Sequence, residues 1–199
     1  MEMEGILMLQ ILDCGYVPQG PARSKKPLTW PDTNKYFRKG IVGYCNSVNT
    51  PPEQLKVVFV DFQLSNLCLF LEQDWLLYSA RNRVVLVTDD HLLPLANYYK
   101  CMFHQVDSVI DRAGASSDIF AKIDHVIAGE TVSSPSEIRL SSREIGLLRM
   151  LIHGVTVRDL ASRLHLSPKT VYALRHNILG KMRLTKMNDI FTQAIHGVR

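Results

Sequence analysis

The runs LKVVFVDF (55–62) and RVVLVT (83–88) constrain the fold of this chain more than any other feature. Each is apolar over consecutive residues and rich in valine, so each reads as a strand buried on both faces. Helical patterns surround them: KYFRKGIVGYC (35–45), LSNLCLFLEQDWLLYSA (64–80), LLPLANYYKCMF (92–103) and SDIFAKIDHVIAG (117–129). VDSVI (106–110) supplies a further strand. Strands alternating with helices form a parallel sheet, because parallel neighbours need a long crossover. The expected front domain is therefore α/β, with helices on both faces of the sheet. Residues 14–34, with four prolines, read as loop.

The serine-rich stretch ETVSSPSEIRL (130–140) separates this pattern from an all-helical one. Ser141 stands three residues before Glu144, the spacing of a capping box, and Gly154 suits a left-handed helix stop. Thr156 repeats the device with Asp159. Ser167 then precedes Pro168, which fits a first helical position because its missing N–H has no partner there. A fourth helix opens at Thr185, with Met187, Ile190, Phe191, Ala194 and Ile195 on one stripe. The chain divides into a front domain (1–129), a linker (130–139) and a four-helix bundle (140–199).

Charge is divided along the same line. Residues 139–199 hold 11 Lys+Arg against three acids, a net of +8, whereas the remainder holds 12 against 16, a net of −4. A basic tail on an acidic front points to a polyanionic partner for the tail. No apolar run reaches the roughly 18 residues a membrane span needs. The beginning, MEMEGILMLQILDCG, carries acids where a secretory signal carries lysine or arginine, so a cytoplasmic location is expected. Cys14, Cys45, Cys68 and Cys101 lie far apart and read as reduced thiols rather than a zinc site. No metal or cofactor is expected.

The helix SPKTVYALRHNILGKM (167–182) indicates which polyanion. Taking Val171 as zero and about 100° per residue, Leu174, Ile178 and Met182 fall near it and form the buried stripe. Opposite lie Lys169, Ala173, His176 and Gly180, flanked by Tyr172 and Asn177. This face is basic at its start and small at two positions, and about 24 Å long at ~1.5 Å per residue. It suits a DNA major groove about 12 Å wide. A membrane surface would want a wider apolar face. Only His165 and Leu166 join it to the preceding helix, a helix-turn-helix corner.

The segment LSSREIGLLRMLIHGVTVRDLASRLHLSPKTVYALRHNILGKM resembles the LuxR/FixJ-type, GerE-like helix-turn-helix of bacterial transcription regulators. The likeness covers about 140–195, through Leu140, Arg143–Glu144, Gly154, Leu160–Ala161, Leu164, Ser167, Thr170–Val171, Asn177–Ile178 and Lys181–Met182. It implies base reading from Tyr172, Ala173 and His176, with Thr156, Arg158, Lys169 and Thr170 contacting phosphate or capping helices. Arg175 and Lys181 complete the DNA-binding set, each with an internal alternative; for Lys181 this is an ion pair with Glu144. Leu174 departs from the family, where most members carry histidine, and is expected to alter packing.

Members of the FixJ and NarL type carry a receiver domain in front, and residues 35–130 resemble one. The resemblance puts Asp61 at the phosphoacceptor position, Thr88 at the switching hydroxyl and Arg112 where receivers keep a lysine. Gapless counting places Asp32 and Thr33 where two magnesium-binding acids stand; taking ILMLQIL as the first strand places Asp13 and Cys14 there instead. Either register leaves one acid where two are needed. A degenerate, unphosphorylated receiver is expected, with LANYYKCMF as a dimerisation face or core. The whole is similar to small atypical regulators of enteric bacteria that control fimbriae and other surface structures. The implied partners are double-stranded DNA and a second copy. The alternatives are a subunit acting through a heterodimer with another response regulator, and a regulator phosphorylated at Asp61. No serine/histidine/aspartate spacing or phosphate loop points to an enzyme.

Overall fold

The computed structural model describes residues 28–49, 55–72 and 82–190. Four parallel strands, β1 (Thr29–Trp30), β2 (Val57–Phe62), β3 (Arg83–Thr88) and β4 (Val106–Asp111), lie side by side in chain order. Phe59 pairs with Thr29 and with Val85, and Asp61 with Val87, which brings the C-terminal ends of β2 and β3 level. The helices α1 (Lys35–Ser47), α2 (Leu67–Leu71), α3 (Leu93–Met102) and α4 (Ser116–Ile127) fill the crossovers.

Alternation along the strands sorts these helices. Val58, Val60, Phe62 and Leu86 share one apolar cluster with Leu67 and Phe70 of α2 and Leu95 and Tyr99 of α3. Val57, Phe59, Val85, Val87 and Ile110 share another with Ile41 and Cys45 of α1 and Ile123 and Val126 of α4. The two-sided burial expected of continuous apolar strands is what the sheet shows, and the domain is receiver-like in its layering.

Two sequence expectations change, and a third is made specific. The proline-rich loop contains β1, whose two residues are too few for a periodic signal. The helix expected over 64–80 begins as a 3-10 turn (Leu64–Asn66) and continues as α2; residues 73–80 lie outside the described set, as does ILMLQIL. Of LANYYKCMF, expected as a dimerisation face or core, Tyr98 and Tyr99 are buried, with the Tyr99 hydroxyl donating to the Phe70 carbonyl at 2.7 Å, while Cys101 and Met102 are exposed. On a helix packed on one side by a sheet and on the other by a bundle, aromatic residues face inward.

Residues 130–140 have neither helix nor strand, yet they are tied along α3. The Lys100 ammonium donates to the Val132 carbonyl at 2.8 Å, the Asn97 amide to the carbonyls of Ser136 and Ile138, and the Leu140 N–H to the Pro94 carbonyl. The chain then forms α5 (Ser142–Ile152), α6 (Val157–Arg163) and α7 (Pro168–Lys181), with α8 beginning at residue 187. The buried residues of this bundle, among them Leu147, Leu148, Leu160, Val171, Ile178 and Met187, belong to the same cluster as Val60 and Leu95. One apolar core runs from the sheet into the bundle.

Candidate nucleic-acid interface

Local caps place α7. The Ser167 side chain accepts from the Thr170 N–H at 3.1 Å, and Pro168 occupies the first turn. The preceding corner is tight: α6 ends with the Leu166 N–H on the Ala161 carbonyl, and His165 takes a left-handed φ of 51°. Thr156 caps α6 by accepting from the Asp159 N–H, and Ser141 and Glu144 complete a capping box on α5. Gly154, with φ 77°, adopts the left-handed stop that glycine allows without steric penalty.

Behind α7 are buried Val171, Ile178, Leu179 and Met182. Leu174 is only half-buried, at the edge of the stripe, and Leu179 takes its place; the helix packs on α5 and α6 with its contact line rotated slightly toward Leu179. Lys169, Thr170, Tyr172, Ala173 and His176 are all exposed, Tyr172 at 57%. Arg158 is exposed at the start of α6 and Arg175 is half-exposed. Lys181 is turned inward instead: its ammonium lies 2.7 Å from Glu144 Oε2 and ties the end of α7 to the start of α5. Burial alone pushes the Glu144 carboxyl up, but hydrogen bonds from Lys181 and Ser141 outweigh it and hold the group below its ordinary value.

At the C-terminal ends of the strands, the receiver-like positions hold a closed polar cluster. The Asp61 side chain is 1% exposed. Its Oδ2 accepts from the Asn34 amide at 2.8 Å, its Oδ1 accepts from the Gln63 amide, and an Arg112 guanidinium nitrogen stands 3.7 Å from Oδ1. Asp32 is exposed, and the contact to Asp61 comes from Asn34, which also caps α1. The Thr88 hydroxyl is fully buried and donates to the Asp89 carbonyl rather than to Asp61. Sequence reasoning missed Asn34 and Gln63; an asparagine directly before a helical pattern was the available signal for the first. Among the described residues, Cys45, Cys68 and Cys101 are free and no cluster of metal-ligating side chains forms. None of the described helices is long and apolar enough to cross a membrane.

A capped helix with a solvent-facing, basic front, held at a tight corner beside a parallel α/β domain, defines a helix-turn-helix DNA-binding transcription regulator, not an enzyme. Residues 139–194 match the bacterial regulatory proteins of the luxR family, and residues 19–127 match the EcpR N-terminal domain; the chain belongs to the family defined by that domain. A relative in Escherichia coli strain K12, the uncharacterized protein YqeH, is 28% identical over 172 residues, covering 85% of this chain and 81% of that protein. Solved structures similar to the chain include RcsB, as two dimers bound to two parallel DNAs, at 14% identity and a TM-score of 0.42, covering 80% of this chain and 92% of that one. Another is the response regulator ChrA of a heme-sensing two-component system, at 19% identity and a TM-score of 0.29, covering 80% and 90%.

Proposed function

We propose that this regulator reads a two-part DNA site in the cytoplasm as a dimer, inserting α7 into the major groove, and that its targets are fimbrial or other surface-structure genes. Tyr172, Ala173 and His176 meet base edges, Lys169, Thr170 and Arg158 meet phosphates, and Thr156 and Ser167 hold the helix starts. Arg175 is available at the flank. Lys181 serves the bundle through Glu144. The observation that carries this reading is the joint exposure of Lys169, Tyr172, Ala173 and His176 in front of a stripe containing Val171 and Ile178. The residues divide into the front domain to 129, a tether over 130–139 and the reading bundle from 140, and the regulated genes are proposed on the resemblance to enteric regulators.

Dimerised helix-turn-helix proteins read half-sites about one turn (~34 Å) apart, so two copies suffice for a symmetric operator. The test is selection of duplexes from a random library by the purified full chain at near-physiological salt, followed by a mobility shift. Enrichment of a paired motif supports the reading; retention of every sequence alike overturns it, and retention only after adding a second regulator supports the heterodimer in its place.

A further inference from the structure

The exposed face of α7 says what the helix touches but not what fixes its direction. Its C-terminal end meets the front domain through two neighbouring residues of the loop after β3. Asp90 Oδ2 lies 2.7 Å from an Arg183 guanidinium nitrogen, and His91 Nδ1 lies 3.0 Å from the Met182 carbonyl, the capping residue of α7. An N–H at His91 Nδ1 donates to that carbonyl, which the helix leaves without an internal partner.

The loop carrying these groups is itself anchored. The Asp89 carboxylate accepts from the Leu92 N–H at 3.0 Å, and its carbonyl accepts from the Leu93 N–H and the Thr88 hydroxyl. Arg112 reaches both Asp89, at 4.0 Å, and Asp61, at 3.7 Å. Residues 88–91 are thus held from the remnant receiver cluster on one side and from the first turn of α3 on the other.

Arg183 adds an independent observation. It follows the cap of α7 with a left-handed φ of 51°, and the Leu184 N–H reaches back to the Leu179 carbonyl at 2.9 Å. Glycine fits that conformation without strain, and at the end of α5 this chain uses Gly154. At the end of α7 it carries a long cation, whose charge is engaged by Asp90.

We propose that Asp90 and His91 are positioning residues for DNA reading: they clamp the C-terminal end of α7 through Arg183 and the Met182 carbonyl and so set the angle at which the reading helix leaves the front domain. This rests on the assignment of α7 as the reading helix. Asp90 itself touches no DNA and acts through Arg183.

The test uses the full chain and two measurements: amide hydrogen exchange at Met182, Arg183 and Leu184 without DNA, and affinity for the duplex selected by the wild type. Asp90→Ala is expected to speed exchange at these amides and to weaken that affinity, each by about two- to fivefold, the range for an exposed ion pair. Asp90→Glu is expected to restore both. Unchanged exchange overturns the clamp. Faster exchange with unchanged affinity overturns its role in reading, and faster exchange with tighter binding does too, because Arg183 would then be a phosphate contact that Asp90 masks. If the wild type selects no duplex, the DNA-reading proposal fails, while the exchange data still decide whether the loop holds the helix end.

Discussion

The Asn34 amide donates to Asp61 Oδ2 at 2.8 Å, so a neutral donor of the chain itself occupies one oxygen of this buried carboxylate. Gln63 occupies the other oxygen and Arg112 stands beside it. Phosphoryl transfer needs an oxygen free to attack and a metal held by neighbouring acids. Among the described residues, both Asp61 oxygens already accept from side-chain amides and Asp32 stands exposed. The full chain incubated with magnesium and acetyl phosphate is expected to keep its intact mass, and the gain of one phosphoryl group on Asp61 would return it to the phosphorylatable regulators. Asp61→Ala is expected to destabilise the fold by about 1 kcal/mol in urea, because it leaves the half-buried Asn34 and Gln63 amides and Arg112 without their partner.

His176 and Tyr172 stand exposed on α7, with no hydrogen-bond or ion-pair partner among the described residues. Replacing either by alanine is expected to cost about 1–3 kcal/mol at the base it reads and to relax choice at that position only. Lys169→Ala is expected to weaken all duplexes alike and to reduce the slope of log K against log salt by about 0.9, one phosphate. Titration of matched and mismatched duplexes over a salt series separates the two effects; binding unchanged by both substitutions refutes the assigned face.

Glu144 links stability to pH. Its carboxyl is held below the ordinary carboxylate value in the folded chain, so the unfolded chain takes up its proton first as pH falls. The stability it supplies is full above that unfolded value and is lost as pH drops through the lower folded one. Asp107, burdened by burial but held down by Arg83 and Ser108, acts with the same sign. Urea midpoints measured from neutral to acid pH are expected to fall in this window, and Glu144→Gln to flatten the fall while lowering stability at pH 7 by about 1–3 kcal/mol.

Much of this fold was legible because its signals are local. Ser141 with Glu144, Thr156 with Asp159 and Ser167 with Pro168 each name a helix start, and the structure forms all three caps. Apolar runs named β2 and β3. What was illegible depends on distant partners. Two residues cannot announce β1, which exists by pairing with β2. The tyrosines of α3 look like an outer face until Phe62 and Phe70 of the front domain meet Tyr99 and Ser142 of α5 meets Tyr98. Periodicity placed Leu174 in the buried stripe because an isolated wheel does not know where α5 and α6 sit. Asn34 closes on Asp61 only when the sheet brings together residues 27 apart in sequence.

The continuous core makes the last prediction. Leu148 of α5 and Leu95 of α3 are both fully buried in the cluster that also contains Val60 of the sheet. Neither half can expose that surface without removing apolar contacts from the other, and burial of this kind is worth about 25 cal/mol per Å². Heat or urea is therefore expected to unfold the sheet and the bundle in one transition, with aromatic near-ultraviolet and helical far-ultraviolet signals coinciding. Leu148→Ala, which leaves a cavity where the two halves share a core, is expected to cost about 2–5 kcal/mol and to shift both signals together. Separate transitions, with the bundle alone moved by the substitution, would mean that the halves fold independently and that the seating of α7 on the front domain is not fixed by packing.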